Sequence, residues 1–371
     1  MSTVHRRTLL GGAAGAALGM LAPAGPASAA SPARAPRVAR ATPNTALTGQ
    51  FNAYSDAGTG WTGADSTYST ALPGGRQLFI FSDTFLGPVN PDGSRPRTVP
   101  FLNNSFVVRG PGGLSTVHGG TEASPAALVS SADPSRWYWF GAGLTTGRVH
   151  QQIAIEFGRT GTGPWDFAWM GTSVARFSLD RLDRPVDIRP LPAGAGVTWG
   201  AWLQQIGGFL YVYGVEDLGA DKHLHVARVS GTSLLGAWRY WTGTGWSATE
   251  SDSARVLTGV SNEHSVTPWC GRYLLVTQDT TELFSAKIVA YVADHPTGPF
   301  TGKTLLYTTP ETGAGGSYGN PNIYTYNPHV HPSLSGRDRL VLSYNVNDLV
   351  SDELFGDVSI YRPRFVDVVL A

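Results

Sequence analysis

Five short runs, each dense in aromatic and β-branched residues, recur along the chain: LFIFSD (78–83), WYWFGA (137–142), LYVYGV (210–215), YLLVTQ (273–278) and LVLSYN (340–345). Their starts lie 59, 73, 63 and 67 residues apart. Three are followed, 25 or 26 residues after their start, by a second marker: Gly163-Pro164-Trp165, Gly236-Ala237-Trp238 and Gly298-Pro299-Phe300. A further strand-like segment fills each interval, namely HQQIAIEFGRT, KHLHVARVS and AKIVAYVAD. The same offset three times describes a structural repeat. A small antiparallel sheet cannot bury its faces alone, so such units pack radially against their neighbours. Helical heptads and βαβ alternation are both missing, which argues against a parallel α/β fold. The expected fold is all-β, a five-bladed β-propeller spanning residues 49–371.

Composition agrees where it bears on this. Glycine (46), proline (25), tryptophan (11) and tyrosine (14) are abundant, as a chain of short strands and many turns requires. Cys270 is the single cysteine, so the fold stands on its β-core without an internal disulfide. Formal charge is zero and no basic run occurs, which gives a nucleic-acid partner nothing to hold. Residues 1–29 read as an export signal: Arg6-Arg7 precede the apolar stretch Leu9 to Leu21, and Ala27-Ser28-Ala29 offers a cleavage site. The paired arginines point to the twin-arginine route. That stretch is too short and too rich in Gly and Ala to span a membrane. Residues 30–48, rich in Ala, Pro and Arg, read as a disordered linker. The expected product is a secreted monomer with no membrane contact after signal cleavage.

The first repeat carries the chemistry. STYSTAL and RQLFIFS flank Pro73-Gly74-Gly75, a hairpin signal. Asp65 precedes the first run and Asp83 ends the second. Antiparallel pairing brings these positions to one edge, 18 residues apart in sequence. The segments before the five marker runs are GADSTYSTAL, EASPAALVS, TWGAWLQQI, NEHSVTPW and YNPHVHPSLS. They are read as the inner strands. Near their starts stand Asp65, Glu122, Glu263 with His264, and Asn327 with His329 and His331, while the third offers Trp199 and Trp202. The ends of the following strands add Glu216, Asp217, Gln278, Asp279, Asn345 and Asn347. All of these belong to one face.

The run WTGADSTYSTALPGGRQLFIFSDTFLG, then FLNNSFVV, the GPF marker and YNPHVHPSL…LVLSYNVN resemble secreted bacterial five-bladed propellers long catalogued as domains of unknown function. Some relatives are assigned as endo-D-arabinanases of glycoside hydrolase family 183. More distantly the architecture is similar to the propellers of families 43, 32 and 68. The family 32 Asn-Asp-Pro-Asn and Arg-Asp-Pro motifs are absent, which argues against a fructosidase. The resemblance implies that Asp65 and Asp83 are the catalytic aspartates.

Glycoside cleavage needs one protonated and one ionised carboxyl group, and two neighbouring acids split their pKa values. Asp65 is expected to be the ionised partner and Asp83 the acid, an assignment open to reversal, with Glu263 a third candidate. An Asp ending a strand can also simply cap a turn, and Glu263 can simply pair with His264 or an arginine. Of Trp61, Trp199 and Trp202, one is expected to stack on a sugar while the others wedge between blades. Asn103, Asn104, Gln152, His264, Asn327, His329 and Asn345 are candidates for sugar hydroxyls. His329 and His331 form an H-x-H pair flanked by Pro328 and Pro332, and neither a metal shared between them nor any cofactor is expected. The expected function is hydrolysis of a furanose polysaccharide, most plausibly an arabinan. A non-catalytic carbohydrate-binding propeller and a transglycosylase stand as alternatives.

Overall fold

The Pro73–Gly75 turn forms as its sequence dictates, with Gly74 and Gly75 in the left-handed region at φ 76° and 72°. It joins Tyr68–Leu72 to Arg76–Phe81 in register Tyr68↔Ile80 and Leu72↔Arg76. The computed structural model describes residues 35–371 except Pro164; the expected export signal lies outside the described residues. Ser105–Gly110 and Gly113–Val117 complete this first sheet.

Four more antiparallel sheets follow in chain order. The second is Arg136–Thr146, Val149–Arg159, Phe167–Ser178 and Asp187–Pro190. The third is built on Val197–Ile206, Phe209–Leu218, Asp221–Ser230 and Trp238–Trp241. The fourth is Ser265–Trp269, Arg272–Gln278, Lys287–Ala293 and Thr301–Thr308. The fifth is Ile323–Val330, Arg339–Asp348, Pro363–Leu370 and, from the start of the chain, Val38–Pro43. The first-listed strand of each sheet touches that of the next. Between sheets five and one, the rings of His329 and Tyr68 lie 3.9 Å apart, and Ser69 Oγ meets His331 Nδ1 at 2.7 Å. The inner strands therefore close on themselves, and the molecule is all-β and propeller-like.

Two expectations are corrected here. Residues 38–48 are not linker. Val38–Pro43 pairs with Pro363–Leu370 (Thr42↔Asp367), and Asn44 caps the helix Thr45–Asp56 by accepting from Leu47 N–H at 2.9 Å. That helix buries Leu47, Phe51 and Ser55 at four-residue spacing. Phe51 packs on Trp61, Phe79 and Phe365 at 5.5, 4.9 and 5.4 Å. The strand is an outer edge with four of its six residues in solvent and none fully buried, so its composition carries no hydrophobic signal; its partner lies more than 300 residues away.

The second correction concerns sheet two. EASPAALVS is not its inner strand: Gly119–Thr121 and Ser124–Ala126 form a separate small hairpin, and the Glu122 side chain stands in solvent. The inner strand is the WYWFGA run itself. In sheets one, three, four and five the corresponding run is the second strand, so sheet two is one strand out of phase. Inner strands also approach very closely: a Cβ on Gly141 would lie 2.6 Å from Gly200 carbonyl oxygen. Register shifts interrupt three of them, at Phe140/Gly143, Trp199/Trp202 and Tyr326/His329, which turns the strand mouths and re-aims their side chains.

Candidate active site

The Asp65–Asp83 edge forms as the hairpin requires. Asp65 N–H donates to Asp83 carbonyl and Ser82 N–H donates to Asp65 carbonyl, both at 3.2 Å. Between Asp65 and the first strand, Ser66 and Thr67 are left-handed at φ 69° and 58°. Two such non-glycine residues in succession cost on the order of 1–3 kcal/mol each, so surrounding bonds must hold them. Asn345 does so, its Nδ2 donating to Ala64 carbonyl at 3.1 Å and to Thr67 Oγ1 at 2.9 Å. Ser66 Oγ lies 2.8 Å from Ser82 Oγ and donates to Glu263 Oε1 at 2.8 Å. The kink thus ties sheet one to sheets four and five and brings Glu263 to the aspartates.

The carboxyl groups are recessed, and their surroundings differ. Asp65 accepts from Tyr326 Oη at 3.0 Å, Tyr361 nearby also favours its charged form, and its Oδ1 has no partner among the described residues. Burial, and then the charge of Asp83, raise its pKa to about 8. Asp83 accepts from Trp139 Nε1 at 2.7 Å and Asn103 Nδ2 at 3.0 Å. Burial raises it too, to about 6; the bonds from Asn103 and Trp139 and the charge of Arg159 favour its ionised form and limit the rise. The order is the reverse of the expected one: Asp65 keeps its proton longer. Burial, with the Asp65 charge second, holds Glu263 well above the ordinary carboxyl range. Its Oε2 lies 3.2 Å from His329 Nε2 without the alignment of a hydrogen bond. Burial holds His329 well below the usual imidazole range, so burial disfavours the charged form of both partners.

Most of the other expected sugar contacts are internal. Trp61 lies in the core against Phe51 and Phe81. Trp199 is buried on Trp238, its Nε1 donating to Glu250 Oε1 at 2.8 Å. Trp202 is buried and stacked along the axis on His329. None of the three faces the mouth, because large rings are what fills the gaps between closely packed inner strands. Asn104 is buried, donating to Val129 and Tyr138 carbonyls and accepting from Val129 N–H. Gln152 is buried, donating to Gly141 and Ile153 carbonyls at 2.7 and 2.9 Å. Asn345 is the buried clamp just described. His264 is buried with Nδ1 3.3 Å from Ser261 carbonyl. His329 packs between Tyr68 and Trp202, whereas His331 packs near Phe79 and Phe365. Asn327 is half-buried at the register shift, left-handed at φ 54°. Among the described residues no group of three or more His, Cys, Asp or Glu side chains is placed to hold a metal ion.

Sequence reasoning missed Tyr326, Tyr361 and Trp139, the groups that grip the aspartates. Tyr326 and Trp139 sit in segments already singled out, but tyrosine and tryptophan in a strand read as core. Tyr361 follows a turn and carries no local signal. Ser66, Thr67, Asn327 and Tyr361, four non-glycine residues with left-handed backbone, gather round the mouth, as strain does at functional sites.

No curated protein matches the sequence. Among solved structures, a candidate hydrolase from Bacteroides ovatus is similar with TM-score 0.72 and 21% identity, over 88% of this chain and 90% of that one. At that identity the likeness is one of fold. A GH43_1 enzyme from Xanthomonas citri complexed with xylotriose gives TM-score 0.47 and 14% identity, over 88% and 92% of the chains. The catalytic domain of the GH62 alpha-L-arabinofuranosidase of Coprinopsis cinerea gives 0.44 and 11%, over 83% and 91%. The family model described as Domain of unknown function (DUF5005) matches residues 48–369, and the chain belongs to that family.

Proposed function

We propose that this protein is an exported five-bladed β-propeller glycoside hydrolase that cleaves a furanose-containing polysaccharide, most plausibly an arabinan. One observation carries the reading: two recessed carboxyl groups share one mouth in unlike surroundings, Asp65 with a partnerless Oδ1 among the described residues and Asp83 under Asn103 and Trp139, so burial raises Asp65 further, to about 8, than Asp83, to about 6. Near pH 7 the pair therefore carries one proton, which is the state that glycoside cleavage needs. Asp65 donates that proton to the glycosidic oxygen as the bond from the anomeric carbon breaks. Asp83, held ionised by Asn103 and Trp139, supplies the electron pair, as nucleophile on the anomeric carbon or as base on the attacking water. The description of the Bacteroides ovatus protein as a candidate hydrolase agrees with this.

The test is product release from D-arabinan, L-arabinan, galactofuranan and fructan, with Asp65→Asn and Asp83→Asn in parallel. Cleavage of one polymer, lost in either variant, is the expected result. Binding of a polymer without cleavage, unchanged in both variants, would turn the protein into a carbohydrate-binding propeller.

A further inference from the structure

The two aspartates are gripped from different sides. Asp83 is held by Trp139 on the inner strand of sheet two, and Asp65 by Tyr326 on that of sheet five. Sheet one stands between them in the ring. Beyond Tyr326 a row of rings leads outward: Tyr326 to Tyr324 at 5.3 Å, then Tyr324 to Phe284 at 4.8 Å. Tyr324 is buried, but Phe284 is 42% exposed and its neighbour Leu283 87%. Phe284 is left-handed at φ 51°, an unfavourable backbone for a residue of its bulk. Leu349 and Val350, 41% and 43% exposed, follow directly on the adjoining strand of sheet five, which ends at Asp348. Leu349 N–H bonds Asn322 carbonyl, two residues from Tyr324. Leu283 and Phe284 thus form the outer end of a shelf of rings that runs down through Tyr324 and Tyr326 to Asp65. Isolated exposed apolar residues are ordinary, but a contiguous group beside a polar site marks a binding surface.

We propose that this shelf, with Phe284 as its stacking ring, binds the sugar on the leaving-group side of the bond that is cut. The occupant follows from position. Asp65 is the proton donor in the reading above, on which this inference rests, and a donor must lie beside the leaving oxygen. The sugar carrying that oxygen therefore extends over Tyr326 toward Phe284. Sugar rings present an apolar face of C–H groups that suits an exposed aromatic ring, while their hydroxyls stay in water. On the other side, Trp137 and Trp139, 5.7 Å apart on one face of a strand, stand beside Asp83, where the sugar attacked at its anomeric carbon must lie.

The two sides can be separated by the substrate. An aryl arabinofuranoside has no leaving-group sugar; an arabinan has one. We expect Phe284→Ala to lower kcat/KM on D-arabinan, or on L-arabinan run in parallel, about tenfold more than on para-nitrophenyl arabinofuranoside. Trp137→Ala should lower both to a similar degree. In the Asp65→Asn background, Phe284→Ala should weaken binding of the same polymer about tenfold. Phe284 lies on an exposed loop, and unchanged thermal unfolding checks that the variant folds. Equal losses on polymer and aryl substrate, or none on either, would overturn the shelf. If the wild type cleaves neither substrate, the hydrolase reading fails; the polymer-binding arm then decides the shelf, a tenfold loss sustaining it and unchanged affinity removing it.

Discussion

The mouth around Asp65 and the flank of sheet three hold the same residue types in opposite electrostatic states. On sheet three, Glu216 accepts from Arg255 Nε at 2.6 Å and Nη2 at 3.0 Å, and that pairing holds its carboxyl below the ordinary range. Burial pushes Asp217 up, but Lys222 and Asn262 outweigh it and its pKa also falls. At the mouth the carboxyl groups accept from tyrosine, serine, asparagine and tryptophan, and all three are raised. Acids on a flank stabilise the fold by staying ionised next to a cation. Acids at the mouth are placed where ionisation is resisted, which weakens the fold and leaves a proton available for chemistry. Both sets look alike in sequence; what differs is the company each keeps.

The sharpest way to break this contrast is to neutralise one acid from each region. Asp65→Asn or Asp83→Asn should cut polysaccharide cleavage by about a thousandfold, measured as product release. Glu216→Gln should leave it within about twofold, since losing an exposed ion pair costs only about 0.5–1 kcal/mol of stability. Comparable losses from all three would place the contrast in folding and not in catalysis.

Stability gives an independent readout with a defined sign. Asp65 binds its proton more tightly when folded, at about 8 against an ordinary 3.8. Its contribution is therefore fully present below about pH 4 and is lost as the pH climbs through about 8. Asp65→Asn removes that loss, so it should be more stable than wild type at pH 9 by on the order of a few kcal/mol, read as a higher unfolding temperature, and show little advantage at pH 4. Glu216→Gln should behave in the opposite sense, most destabilised above the ordinary carboxyl range. An Asp65→Asn advantage that does not grow with pH would remove the claim that the buried carboxyl opposes folding.

How much of this contrast can be read from sequence depends on range. The Pro73-Gly74-Gly75 turn is local, so the hairpin and the meeting of Asp65 with Asp83 follow from spacing. The repeat is nearly local, and it locates the sheets while misplacing sheet two, where the aromatic run WYWFGA occupies the inner strand and not the second. Val38–Pro43 is unreadable because its pairing with Pro363–Leu370 is set by chain closure. The binding candidates fail for a related reason: Asn104, Gln152 and Asn345 are polar because buried backbone groups need partners, and sequence does not distinguish such a residue from one that meets a ligand. The reversed order of the two aspartates is a matter of which groups face which carboxyl, and those groups, Tyr326, Tyr361, Asn103 and Trp139, come from four separate parts of the chain.

Those donors supply the finest test, because the two limbs of a bell-shaped pH–rate profile are expected near about 6 and about 8 and report the two aspartates separately. Tyr326 donates to the charged form of Asp65. Tyr326→Phe should therefore move the alkaline limb upward, by less than about one unit, and leave the acid limb in place. Asn103 donates to Asp83, so Asn103→Ala should raise the acid limb by a similar amount and narrow the profile from the other side. Each variant removes one donor, yet one widens the active range and the other narrows it. A merely structural role for either residue would lower the height of the profile without moving a limb. If the limbs move in the opposite assignment, with Tyr326→Phe shifting the acid side, then Asp65 is the ionised partner after all and the leaving-group sugar belongs beside Trp139.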